Sequence, residues 1–292
     1  MKTIILRLTK VSYLYSLIFL MITLLSCAKE NPTQYNTNNP PVQRTYVLHV
    51  PPTYTGENDV PLLVALHGYT SNGQQLEQST QLDVKSDEEG FIVVYPDALA
   101  YYGSTMWNAG DMYEQWTNGT DDVDFISSLI IKLSMDYMID SNRIFITGHS
   151  NGSFMAYRLA CELSDKIAAI APVCGQMVSN NCYPENKVSI IEFHALNDLS
   201  VPYNGSNING LIVPPVETVI ESWIGRNQCS LDADTICNEN GVVGREWYSE
   251  EGSGDIVLYT NPTSGHNWPT HSNASLSGND LMWNFFEAHP KK

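Results

Sequence analysis

The segment Gly148-His149-Ser150-Asn151-Gly152 follows a strand-like run, Arg143-Ile144-Phe145-Ile146-Thr147, and precedes a helical stretch over residues 153–166. A strand that turns into a helix through Gly-x-Ser-x-Gly leaves the chain few options. The turn is sharp and forces the serine into a strained backbone conformation. Glycine on either side lets the strand and helix backbones pass close together. The hydroxyl of Ser150 then stands at the carboxyl edge of a sheet, and the next backbone N–H, that of Asn151, points to where a reacting carbonyl would sit. Taken alone, the pentapeptide is also an ordinary Gly/Ser turn. The strand before it and the helix after it separate the two readings.

The rest of the chain supplies the sheet that such a turn requires. Residues 44–50 alternate like a strand with one polar face. Pro61-Leu62-Leu63-Val64-Ala65-Leu66 and Phe91-Ile92-Val93-Val94-Tyr95 are continuous apolar runs, which suit parallel strands covered on both faces. Residues 167–173, 188–193 and 255–259 read as further strands, and residues 74–90, 121–138, 216–225 and 280–289 as helices. The alternation predicts an α/β fold with a mostly parallel central sheet and helices on both faces. Residues 98–119 and 201–215 are the least regular stretches. Loops of that length inside a compact domain tend to carry function.

A serine hydroxyl needs an adjacent base, and the base needs an orienting acid. Behind a turn of this kind the partners follow in the order Ser, then Asp or Glu, then His. Asp198 comes straight off the strand at 188–193. Glu192 is its rival, but it lies within the strand. His266, in Gly265-His266-Asn267-Trp268-Pro269, follows the last strand and is the candidate base, with His271 as a rival five residues on. An oxyanion hole needs two backbone donors. Asn151 is one, and Tyr69, in the loop His67-Gly68-Tyr69-Thr70 after a buried strand, is the other.

Aromatic residues crowd one loop: Tyr101, Tyr102, Trp107, Tyr113 and Trp116. Trp268 follows the candidate histidine. Such rings either anchor a long loop to the core or form a platform for sugar or phenolic faces. On the second reading Trp107, Trp268 and His149 are the substrate-binding candidates.

The amino terminus carries Lys2, Arg7 and Lys10 around an apolar run over residues 11–25 that ends in Leu24-Leu25-Ser26-Cys27. This is the pattern of an export signal, and its end matches a bacterial lipobox with Cys27 as the lipidated residue. A plain signal peptide or an uncleaved anchor would export the chain as well. Residues 27–43, rich in Asn, Thr and Pro, read as a flexible tether, and residues 44–292 as one catalytic domain. A lipid on Cys27 would be the only link to a membrane.

The full chain has 15 Lys and Arg against 32 Asp and Glu, and removal of residues 1–26 leaves 12 against 32. So acidic a surface disfavours nucleic acid and polyanionic partners. Of the cysteines beyond Cys27, Cys229 with Cys237 and Cys174 with Cys182 flank polar loops and are the candidate disulfides, although spacing does not determine connectivity. Cys161, on the helix after Ser150, reads as a buried thiol. No cluster has zinc-site spacing and no nucleotide loop is present, so neither metal nor cofactor is expected.

Several separated motifs together resemble the extracellular esterases related to polyhydroxybutyrate depolymerases and to the feruloyl and acetylxylan esterases of carbohydrate-esterase type. They are Leu66-His67-Gly68-Tyr69, Trp107-Asn108-Ala109-Gly110, Asp121-Asp122-Val123-Asp124-Phe125-Ile126 and Gly148-His149-Ser150-Asn151-Gly152. Later come residues 194–198, Val201-Pro202-Tyr203-Asn204-Gly205, residues 223–229 and Gly265-His266-Asn267-Trp268-Pro269. The resemblance implies an α/β-hydrolase fold, a triad of Ser150, Asp198 and His266, and hydrolysis of carboxylic esters. The expected substrate is an acetyl or feruloyl ester borne by a plant polysaccharide, and the expected state is a monomer. The cysteine pair that such proteins often carry after Trp-Asn-Ala-Gly is replaced by Asp111-Met112-Tyr113. The alternatives are a hydrolase of polyesters or their oligomers and, in another class, a binding protein on an inactive hydrolase scaffold.

Overall fold

In the computed structural model the described residues are 44–179, 181–250, 252–270 and 277–292, and they belong to one compact unit, Arg44–Lys292. The expected export segment, the tether, Cys27 and the rival base His271 lie outside the described residues. No helix among the described residues is long and apolar enough to cross a membrane.

The sheet begins with β1 (Tyr46–His49), β2 (Val60–Leu66) and β3 (Ile92–Pro96). It continues through β6 (Ile139–His149), β7 (Ala169–Val173), β8 (Ser189–Ala195), β11 (Asp234–Glu239), β12 (Val242–Trp247) and β13 (Ile256–Asn261). Two small hairpins stand apart: β4 (Ala100–Tyr101) with β5 (Ser104–Thr105), and β9 (Ser206–Ile208) with β10 (Leu211–Val213). The nine-stranded order is β1-β3-β2-β6-β7-β8-β13-β12-β11. Strands from β3 to β13 pair parallel, while β1, β12 and β11 join antiparallel at the two edges.

The continuous apolar runs make sense in this frame. In β2, Leu62, Val64 and Leu66 enter one core cluster while Leu63 and Ala65 enter the other. Successive side chains of a strand point to opposite faces, so both parities must be apolar when both faces are covered. The helices are α1 (Gly73–Thr80), α2 (Leu82–Glu89), α3 (Met112–Trp116), α4 (Asp122–Asp136), α5 (Asn151–Glu162), α6 (Val216–Asn227) and α7 (Gly278–Ala288). Leu129 and Ile130 of α4, Met155 of α5 and Trp223 of α6 share the first cluster. Leu76 of α1, Leu82 of α2 and Phe286 of α7 share the second.

Two expectations change. The single helix over residues 74–90 is two helices, because Gln81 takes a left-handed conformation (φ 57°) between them. The antiparallel strands β12 and β11, the latter at the edge, were not expected from the sequence. The burial pattern of β11, with five of its six residues exposed, lacks the alternation that marks a half-buried strand.

Candidate active site

Strand β6 ends at His149 and α5 begins at Asn151, so Ser150 is the whole turn, with φ 56° and ψ −117°. A non-glycine residue there is strained by about 1–3 kcal/mol and needs surroundings that enforce it. The neighbours do so. A β-carbon on Gly148 would stand 2.2 Å from the Gly152 carbonyl oxygen, and one on Gly152 would stand 2.1 Å from that of Leu66. The Ser150 amide donates to the Val173 carbonyl at 2.9 Å, which ties the turn to the next strand.

Asp198 sits just past the end of β8 and His266 in the loop after β13. These strands are parallel neighbours, so both loops emerge at the same edge. His266 Nδ1 lies 2.7 Å from Asp198 Oδ2. The carboxylate only accepts, so Nδ1 carries the proton and Nε2 is left free to accept. The other carboxylate oxygen accepts the Ser200 and Val201 amides at 2.8 and 2.9 Å. Burial pushes the Asp198 pKa up, but the His266 hydrogen bond and these two amides outweigh it and hold it below the ordinary value. The Asn197 side chain accepts the Gly265 amide at 2.9 Å and so joins the acid loop to the base loop.

A second, buried row stands behind Asp198. The Tyr157 hydroxyl donates to Glu192 Oε2. His194 Nδ1 lies 3.3 Å from Glu192 Oε1, and its Nε2 donates to the Val201 carbonyl at 2.9 Å and stands 3.7 Å from Asp198 Oδ2. Burial opposes charge on His194, but Glu192, the Val201 carbonyl and Asp198 together raise its pKa. Glu192, the rival acid, therefore stands one histidine removed from Asp198, which itself holds His266.

Ser150, Asn151, His266 and Tyr69 line one pocket of about 590 Å³ together with Tyr101, Trp116 and Phe154. Ser150 and Asn151, which line it, stand at the amino-terminal end of α5, where the first backbone N–H groups lack intrahelical partners. Gly68 abuts the serine: a β-carbon there would be 3.4 Å from Ser150 Cβ. The Asn151 side chain is committed elsewhere. Its Oδ1 accepts the Trp107 amide at 2.7 Å and its Nδ2 donates to the Trp107 carbonyl at 3.2 Å.

The family model described as "Esterase PHB depolymerase" matches residues 44–192, just over half of the chain. The chain belongs to this esterase family. Among curated relatives, a bifunctional acetylxylan esterase/xylanase of Neocallimastix patriciarum is 29% identical over 61% of this chain and 24% of its own length. Feruloyl esterase B of Piromyces equi is 29% identical over 64% of this chain and 36% of its own length. The chain thus spans about a quarter and about a third of these two relatives. A probable feruloyl esterase C of Aspergillus niger is 26% identical over 90% of each chain. Among solved structures, the acetyl xylan esterase from Aspergillus awamori aligns at TM-score 0.63 and 18% identity, covering 84% of this chain and 95% of that one. That likeness supports the α/β-hydrolase fold.

Within this esterase fold several expected roles are corrected. Trp107 is wholly buried. Its indole N–H donates to the His67 carbonyl at 3.0 Å, and its ring stacks on Phe125 at 6.5 Å, so it anchors the long loop and offers substrate no face. Asp122 holds the same loop, accepting the Asn108 amide at 2.6 Å while paired with Arg44. Trp268 is only 7% exposed and donates to Asn279 Oδ1 at 2.9 Å. With His149 and His266 it lines a side recess of about 340 Å³, outside the serine pocket. His149 packs its ring 4.8 Å from that of His266, and burial pushes its pKa down to about 4. It is a neutral wall beside His266.

Among the described residues the disulfide is Cys161–Cys182, with Cα atoms 5.1 Å apart. The expected pairs Cys174–Cys182 and Cys229–Cys237 are not formed, and Cys161 is not a free thiol. The chain after β7 folds back onto the end of α5 and so carries Cys182 to Cys161. Cys174 stays under the base loop, its sulfur 3.5 Å from the Asn267 carbonyl oxygen. Cys229 follows α6 and bridges to Ser249, while Cys237 lies on β11 across from Gly244. His149, Cys174 and His266 bring donor atoms within 4.8 Å of one another. An ion held there would occupy His266 itself. The buried row of Tyr157, Glu192 and His194 escaped the sequence reading. Its only signal was a glutamate and a histidine two apart on a strand otherwise free of charge, which places them on one face.

Proposed function

We propose that the chain is an exported serine esterase that removes acetyl or feruloyl groups from plant polysaccharides through an acyl-enzyme. The observation that carries this reading is the strained Ser150 turn opening, with the Asp198–His266 pair, into a pocket walled by tyrosine and tryptophan. In the proposed cycle Ser150 Oγ attacks the ester carbonyl carbon and gives its proton to His266 Nε2. The Tyr69 and Asn151 amides hold the oxyanion. Collapse breaks the ester bond, and the sugar hydroxyl leaves with the proton from His266. Water then attacks the acyl-serine by the same route and frees the acid. Asp198 keeps the imidazole in the acceptor tautomer and stabilises its cationic form. The names of the relatives favour acetyl and feruloyl esters, while the family description keeps polyester oligomers as the second reading. The leader, with Cys27 as lipid anchor, supports export.

The test is a panel of p-nitrophenyl acetate, methyl ferulate, acetylated xylan and a hydroxybutyrate oligomer. The highest kcat/KM is expected on a sugar-linked or feruloyl ester. Ser150→Ala should lose about a thousandfold or more in turnover on every ester while keeping its circular dichroism spectrum. A variant retaining more than a tenth of the rate would refute the assignment of the nucleophile.

A further inference from the structure

Each of Arg44, Arg143, Arg158 and Arg245 has a carboxylate partner: Asp122, Asp140, Glu162 and Glu217. Arg226, in the last turn of α6, has none among the described residues. A guanidinium presents five N–H donors in a planar fork. At Arg226, Nε donates to the Cys182 carbonyl at 3.3 Å and Nη1 to the Ser222 hydroxyl, while the group stands 5.5 Å from the Trp223 ring. Three donors remain. Burial works against the charge here, with no carboxylate to offset it. In so acidic a chain, a half-buried cation with no carboxylate partner among the described residues is a departure, and these contacts offset its burial only in part. The negative end of α6 favours such a group only weakly at a solvated terminus.

Arg226 lines a cavity of about 350 Å³ with Ser179, Thr218, Ser222 and Asp111. This cavity adjoins the serine pocket. Gly210 lines it while Asn209 lines the serine pocket, and Asp111 lines it while Tyr113 lines the other. The β9–β10 turn and the start of α3 are therefore the wall between the two. Beside apolar walls that include Val178, Leu211 and Val219, the cavity offers hydroxyls, one carboxylate and one arginine fork, which match the apolar and polar faces of a sugar ring that carries its own carboxylate. The fork takes the carboxylate in two parallel hydrogen bonds, and Asp111 with the three hydroxyls serves the ring hydroxyls. Asp111 and the overall negative charge discourage a run of acidic sugars and leave room for one.

We propose that this cavity is a distal subsite for a uronic acid on the polysaccharide whose ester is cleaved at Ser150. The inference rests on the esterase reading above, but its test does not depend on turnover. Isothermal calorimetry would compare two unesterified xylo-oligosaccharides binding to the wild-type protein, one bearing a single glucuronic acid and the other its carboxyl-reduced glucose counterpart. The acidic sugar is expected to bind about tenfold more tightly. Arg226→Met should abolish the difference and leave p-nitrophenyl acetate hydrolysis unchanged. If Arg226→Met melts early, Arg226→Lys, which keeps the stem and charge but not the fork, should still lose most of the preference. Equal binding of the two sugars by the wild type overturns the subsite, as does a preference that survives both substitutions. Absence of ester hydrolysis with the preference intact would instead refute the esterase reading alone.

Discussion

Asp198 receives a hydrogen bond at each oxygen, and the partners differ in kind. Two amides and His266 bind it directly, while His194 braces the loop from behind through the Val201 carbonyl. His194→Gln keeps a donor near that carbonyl but breaks the row to Glu192 and Tyr157. On p-nitrophenyl acetate, kcat is expected to fall about tenfold, roughly 1.4 kcal/mol, with KM unchanged. A lower melting temperature with kcat intact would mean that the row only packs. His149 makes a separate prediction about pH. Its folded pKa is about 4, against 6.5 in the unfolded chain. The native state holds it neutral, so its contribution is complete above pH ~6.5 and is lost as pH falls toward ~4, because only the unfolded state takes the proton. His149→Gln should flatten the decline of melting temperature between these limits by the equivalent of about 1–3 kcal/mol. Parallel curves for variant and wild type would refute it.

At the scale of elements, the long loop over residues 98–119 shows how rings divide between support and contact. Trp107 points inward and locks to Asn151 and His67, whereas Tyr101, Tyr102 and Trp116 line the serine pocket. Trp107→Ala should therefore cost about 3–5 kcal/mol of stability and lower activity on p-nitrophenyl acetate and on acetylated xylo-oligosaccharides alike. Thermal unfolding and the two kcat/KM values measure this. A loss confined to the oligosaccharide would restore the platform role. The aromatic content of this loop was plain in the sequence, but the direction of each ring was not. Composition is shared by both roles, and only the neighbours of the indole N–H distinguish them.

For the whole molecule, the proposed placement at a membrane rests on Cys27 and on a leader outside the described residues. Expressed in a bacterial host, the protein should partition into detergent and carry a diacylglyceryl mass at its amino terminus, and Cys27→Ser should prevent both. Mass spectrometry of an unmodified mature terminus would refute it. The acidic surface acts on the same scale. It keeps polyanions away at long range, while Arg226 acts only at contact, so one molecule can disfavour a polyanion and still bind a single acidic sugar.

The α/β alternation, the turn at Ser150 and the placement of Asp198 and His266 in loops after two late strands were legible in the sequence. Each depends on local chemistry: a two-residue period, glycines at a tight turn, a fixed chain order. The edge strand β11 was not legible, since an exposed edge strand carries no apolar alternation. Nor was the pairing of Cys161 with Cys182, 21 residues apart, because it depends on a loop folding back onto a helix. The direction of Trp107, the row behind Asp198 and the isolation of Arg226 were likewise decided only by tertiary structure. In each case the deciding quantity is the distance between groups far apart in the chain, which packing sets and local sequence does not encode.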